Sequence, residues 1–118
     1  MDLFEELRAL GVDIDGGMKR INGNEALYKR LLGSFVKTIK EHDVQPDFDA
    51  ADYTETIEKA HTIKGVAGNL SLTPLYKSYT DIVDLLRAGR PEEAREILVK
   101  ILPVQTEIIG CIEKHAGQ

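Results

Sequence analysis

Apolar residues recur at helical spacing along almost the whole of this chain. Leu3, Phe4, Leu7 and Leu10 form a short amphipathic stripe closed by Gly11. "VDIDGG" reads as a turn-rich connector, with a helical turn through Met18 and Ile21. Asn24 is a good helix N-cap, and Glu25 falls in a first turn that favours negative charge. Leu27, Leu31, Phe35 and Ile39 then recur every four residues, with Leu32 and Val36 beside them, which predicts a long helix. That helix should end near His42 to Val44, because Pro46 disfavours helix at Gln45.

A second long helix is predicted from about Asp47 to Asp49, with Tyr53, Ile57, Ala60, Ile63, Ala67 and Leu70 along one face. "SLTPLY" breaks the pattern and restarts it: Thr73 is the expected cap and Pro74 suits the first helical position. Leu75, Tyr79, Ile82 and Leu86 make a third stripe, stopped at Gly89. Pro91 opens a last helix with Glu92 and Glu93 in its first turn, and Ala94, Ile97, Leu98, Ile101, Ile108 and Ile112 form its apolar face. Pro103 removes a backbone donor within it and should kink it. No strand-period alternation, internal repeat or low-complexity tract interrupts this pattern. Four long amphipathic segments with short connections predict an all-α, up-down-up-down antiparallel four-helix bundle, with a short extra N-terminal helix packed on it. A length of 118 residues suits one domain over 1–118.

Composition narrows the function. Hydrophobic residues make up 42% and charged residues 30%, an ordinary foldable balance, and with no tryptophan the core falls to Leu, Ile, Val and Ala. No apolar run approaches the ~18 residues of a membrane span, and the acidic, amphipathic start is not a secretory signal. Cys111 is the single cysteine, which excludes an internal disulfide and suits a reducing cytosol. A net charge of -5 argues against nucleic acid as partner. The charge is uneven: Lys19, Arg20, Lys29, Arg30, Lys37 and Lys40 stand against Glu25 alone, and seven acidic residues follow from Glu41 to Glu58. Such a basic face is either a solvated surface or one that steers an acidic partner.

The chemistry concentrates in "AHTIKGVAGNL", Ala60 to Leu70. Each glycine inside a helix costs ~1 kcal/mol relative to alanine, and this helix holds Gly65 and Gly68. On a helical wheel Ala60, Ile63, Ala67 and Leu70 face the core. His61, Lys64, Gly65 and Gly68 share a flank at i, i+3, i+4 and i+7, where residues are surface neighbours. A neutral imidazole is a nucleophile, Lys64 can offset charge on phosphoryl oxygens, and the glycines let another protein approach the helix backbone. The plainer reading makes His61 an ordinary exposed residue and the glycines a close helix–helix contact or a helix end.

These residues resemble the signature of histidine phosphotransfer (HPt) domains, where a histidine is followed by an apolar residue, lysine, glycine and small residues. The upstream "GVDIDGGMKRINGNEALYKRLLGSF" is similar to the usual lead-in of that family, and the resemblance runs from about Gly11 to the last helix. It implies a phosphorelay carrier with His61 as phospho-acceptor through Nε2, Lys64 as charge-stabilising neighbour, and Gly65 and Gly68 as clearance positions for docking. It implies as partner a response-regulator receiver domain bearing a phospho-aspartate, which brings its own Mg²⁺. The carrier itself then needs no cofactor and no metal, and is a phosphotransfer module rather than a stand-alone enzyme. The expected setting is cytoplasmic, as a free protein or as a module of a membrane-anchored hybrid kinase, without direct membrane contact.

The chain departs from the family at two places. Ser71 stands where glycine is common; small replaces small, and little consequence is expected. The family often uses an amide on the following helix to orient the imidazole, whereas the flank here offers Tyr76, Thr80 and Val83. Turn arithmetic through Pro46 sets His61 level with Tyr28 to Leu32, so that Lys29 or Arg30 would border the site and meet a receiver's acidic pocket. The competing functions are an interaction module that docks a receiver without carrying phosphate, and a metal or cofactor bundle built on His42, His61 and His115. Against the second, no H-x-x-x-H pair is present and His61 lies off the core stripe. No hydrolase triad or phosphate-cradling loop is evident in the sequence.

Overall fold

Helix-capping chemistry sets the first three elements. The computed structural model describes residues 2–116, and among them there are six α-helices and no strand; Met1, Gly117 and Gln118 lie outside this range. Asp2 caps α1 (Leu3–Ala9) by accepting from the Glu5 N–H at 2.8 Å. Asp13 caps α2 (Ile14–Arg20) through the Gly16 N–H at 3.0 Å, so the expected single turn through Met18 is two full turns. Asn24 caps α3 (Glu25–Glu41) through the Leu27 N–H at 3.0 Å, as the sequence predicts. Such caps satisfy backbone donors that the first turn leaves unpaired. The remaining helices, α4 (Thr54–Asn69), α5 (Thr73–Arg87) and α6 (Pro91–Lys114), have no side-chain N-cap bond.

Two starts differ from expectation. The segment 42–53 stays irregular, and α4 begins at Thr54 rather than at Asp47 to Asp49. The aspartates there serve turns: Asp49 accepts the Ala51 N–H at 2.8 Å and Asp52 the Thr54 N–H at 3.4 Å. Arg95 of α6 completes the arrangement. It donates to the carbonyls of Pro46 and Phe48 and lies over the Phe48 ring, 4.3 Å from its centroid. Side chains of this kind compete with helix for the backbone. At α5 the cap position is Leu72, not Thr73, whose hydroxyl instead donates to the Ser71 carbonyl at 3.3 Å. Leu72 is fully buried, so a hydrophobic anchor replaces a polar cap. Pro103 is accommodated inside α6, which is helical from end to end.

The apolar stripes converge on one core. α5 packs most extensively, against α4 on one side and α6 on the other; α3 touches α4 and α6, α1 lies on α6, and α2 bridges α1 and α3. Leu75, Tyr79, Ile82, Val83 and Leu86 of α5 are buried, facing Ala60, Ile63 and Ala67 of α4 and Ala94, Leu98 and Ile108 of α6 within one cluster. Each large side chain buried this way stabilises by ~1.5–3 kcal/mol. On α3 the stripe is rotated from the predicted one: Tyr28, Leu32, Phe35, Val36 and Ile39 are buried, while Leu31 is only half-buried. The two buried polar side chains are matched. Gln105 accepts the Tyr79 hydroxyl at 2.5 Å, Ser71 meets Arg20, and no buried side-chain polar atom among the described residues lacks a partner. The Cα radius of gyration is 14.4 Å, close to the ~13.5 Å of a compact chain this long. No helix among the described residues is long and apolar enough to cross a membrane.

Candidate functional site

His61 sits near the middle of α4, exposed, on the flank beside the buried Ala60–Ile63–Ala67 line. Its ring takes no part in any hydrogen bond or ion pair among the described residues. Lys64 follows one turn later, half-buried and likewise outside every ion pair described. Residues at i and i+3 on a helix are surface neighbours, so an ammonium group can reach the space in front of the imidazole.

The two glycines differ. A Cβ built on Gly65 would meet nothing within 4 Å, so no packing inside this chain requires glycine there. A Cβ on Gly68 would touch the Tyr76 ring of α5 at 3.5 Å, an ordinary contact. The close-packing explanation thus has no object at Gly65 and a weak one at Gly68. Steric demands for glycine lie in α2: a Cβ on Gly16 would meet the capping carboxylate of Asp13, and one on Gly17 would fall 2.8 Å from the Tyr28 ring and 2.9 Å from the Leu70 carbonyl.

Arg20, Lys64, Gly65, Gly68, Asn69 and Tyr76 line an open hollow of about 370 Å³ next to the His61 turn. Its lining carries two cations and no acid. Arg20 is the residue the sequence reading did not connect with the site. It comes from the last turn of α2 and donates from Nη1 to the Gly68 carbonyl, to the Asn69 carbonyl at 3.1 Å and to the Ser71 hydroxyl at 3.1 Å. These carbonyls end α4, where acceptors are left to be satisfied from outside the helix and positive charge is favoured; the Gly68 carbonyl also accepts the Ser71 N–H at 3.2 Å. The sequence signal was the basic pair Lys19–Arg20 at the end of "VDIDGGMKR", although nothing local shows that it reaches across 48 residues to Gly68.

Ser71 explains a departure noted above. Its φ is +56°, in the left-handed region that glycine occupies without strain. The relevant property of this position is therefore backbone conformation, and side-chain size is secondary. The Arg20 bond to its hydroxyl helps to hold it there.

Thr80, considered above as an orienting group for the imidazole, donates to the Tyr76 carbonyl of its own helix at 2.6 Å. Val83 is buried in the core, and Tyr76 lies over Gly68. None of the three hydrogen-bonds His61.

Lys29 and Arg30 are not brought to the hollow beside His61. They line a different one, with Leu3, Gly33, Ile112 and His115, and the Lys29 ammonium lies 5.6 Å from the centre of the Phe4 ring. The register differs from turn arithmetic. The Tyr28 hydroxyl donates to the Leu70 carbonyl at 2.6 Å, and Leu70 stands nine residues, about 13 Å of helix, beyond His61. The long irregular segment 42–53 displaces α4 relative to α3. No protein-family model matches this chain, and no similar protein was found among curated proteins or solved structures.

Proposed function

We propose that this chain is a phosphorelay carrier of the histidine phosphotransfer type, with α3 to α6 as its up-down-up-down four-helix bundle and α1 and α2 packed on it. The observation that carries the reading is the pairing of an exposed, unengaged imidazole with a glycine one turn away whose missing side chain faces open space. Gly33 of α3 and Gly110 of α6 face open space too; Gly65 is set apart by its place one turn from His61, where bare backbone admits an approaching molecule.

In this reading His61 is the phospho-acceptor. The lone pair of Nε2 attacks the phosphorus of a receiver's aspartyl phosphate. A P–N bond forms as the P–O bond to the aspartate breaks, the electron pair leaves with the carboxylate, and Nδ1 keeps its proton. Lys64 offsets charge on the equatorial oxygens as they pass, and Gly65 and Gly68 admit the receiver's loops. Positioning and charge stabilisation supply most of the rate in such transfers. The receiver brings Mg²⁺; this chain contributes the nucleophile and needs no resident cofactor. The receiver's acidic pocket meets Lys64 and Arg20 first. Lys29 and Arg30 lie in another hollow, so charge reversal at both tests whether docking extends onto α3.

The test is incubation with a phosphorylated receiver, followed by assay for acid-labile, base-stable label. Wild type should acquire the label and His61→Gln should not; label retained in His61→Gln would overturn the assignment. A wild type that binds the receiver without acquiring label would be an interaction module instead.

A further inference from the structure

Where the first and last helices meet, α1 is held to the last turn of α6 by a cluster of three metal-ligating side chains. Oε2 of Glu6 lies 3.1 Å from Sγ of Cys111 and 3.0 Å from Nε2 of His115. The three donor atoms all fall within 4.8 Å of one another. We propose that Glu6, Cys111 and His115 form a binding site for a zinc-class divalent cation, independent of the His61 site.

Donor type, spacing and access support this. A thiolate, an imidazole and a carboxylate are the ligands that zinc takes, and three protein ligands with a fourth open position make a common site. Zinc–sulfur bonds of ~2.3 Å and zinc–nitrogen or –oxygen bonds of ~2.0–2.1 Å set tetrahedral donor separations near 3.3–3.6 Å. The observed 3.0 and 3.1 Å around Oε2 fall within a few tenths of an ångström of these values, and the sulfur–imidazole separation, within 4.8 Å, closes to about 3.6 Å on binding. Cys111 and His115 are four residues apart, one above the other on the same helix face. Glu6 arrives from 105 residues away, which is why local spacing motifs do not reveal the set.

Lys114 refines the arrangement. Its ammonium donates to Oε1 of Glu6 at 2.7 Å and leaves Oε2 directed between the sulfur and the imidazole. Outer-shell bonds of this kind orient ligating carboxylates. Cys111 is buried, yet it borders an open hollow of about 390 Å³ together with Glu6, Leu10, Glu107 and Lys114, which provides an access route and room for a bound water. Without metal, the thiol donates to Glu6. On binding, the thiol proton passes to solvent, a metal–sulfur bond replaces the S–H bond, and waters leave the ion as the three ligands enter. Uptake therefore releases protons and weakens as pH falls.

Cobalt(II) titration of the full chain tests this. One equivalent should bind per chain, with a thiolate-to-cobalt absorption band that zinc displaces. Cys111→Ser should abolish the band. Glu6→Gln and His115→Gln should weaken zinc binding at least about tenfold, while His61→Gln, which touches only the proposed relay site, should bind as wild type. Circular dichroism establishes that each variant is folded, and zinc should raise the melting temperature of wild type but not of Cys111→Ser. A folded wild type without the band, one metal per two chains, or undiminished zinc affinity in His115→Gln would overturn the proposal.

Discussion

Tyr28 donates its phenolic proton to the backbone carbonyl of Leu70 at 2.6 Å, tying the first turn of α3 to the end of the helix that carries His61. The ring is fully buried, and its burial, aided by the negative charge of Asp13, raises the hydroxyl pKa to about 12. Tyr28→Phe should lower stability by about 1–3 kcal/mol, because the buried carbonyl loses its donor. A phenol whose folded pKa exceeds its unfolded value of 10.0 contributes stability that is fully present below pH 10 and lost as pH rises towards 12. Tyr28→Phe should therefore flatten the alkaline limb of the melting-temperature profile in that window. An unchanged limb would show that the bond does not couple to folding.

Two glycine-to-alanine substitutions should move stability in opposite directions. Gly17→Ala places a methyl 2.8 Å from the Tyr28 ring and 2.9 Å from the Leu70 carbonyl, neither of which is a flexible side-chain end. Overpacking of this kind costs typically ~1–3 kcal/mol. Gly65→Ala puts its methyl in open space and removes a helix-weakening residue, so it should stabilise by up to about 1 kcal/mol. If the proposed relay function is correct, the same Gly65→Ala protein accepts phosphate more slowly despite its greater stability. Urea denaturation and transfer kinetics on one preparation separate the two effects.

Ser71 offers a finer comparison. Ser71→Ala keeps the strained φ of +56° and loses the Arg20 bond, so it should destabilise by ~0.5–1.5 kcal/mol. Ser71→Gly loses the same bond but relieves a left-handed backbone worth ~1–2 kcal/mol, and should be the more stable of the two. Equal stabilities would assign no cost to the backbone conformation.

How far the sequence foretold the molecule varies by element. Most of the apolar faces of α5 and α6 could be read from the sequence, since burial against a neighbour is what a four-and-three repeat encodes, although Ile97 is only half-buried and Val83, read on the flank, lies in the core; Asn24 is the cap it looked to be. The flank holding His61, Lys64, Gly65 and Gly68 was also legible, because it needs only the geometry of one helix. The contacts that the reading missed are made across the fold. Arg95 reaches Pro46 and Phe48, and with Asp49 and Asp52 in turns the start of α4 moves to Thr54. Arg20 reaches Gly68, Asn69 and Ser71, and Tyr28 reaches Leu70. These contacts also fix how far α4 slides along α3, which is why Lys29 and Arg30 fall away from His61. A one-dimensional pattern reports which face of a helix is buried and says little about its axial position.

The anchoring of α4 is one-sided. Its C-terminal end is gripped by Arg20 and Tyr28, while its N-terminal cap, Tyr53, supplies no side-chain bond. In native-state hydrogen exchange the amides near Val66 to Leu70 should open only with the whole molecule, and those near Thr54 to Glu58 should fray independently. The imidazole rides between these regimes, on a rod clamped at one end. A docking protein would meet a firm floor beyond the histidine and a yielding margin before it.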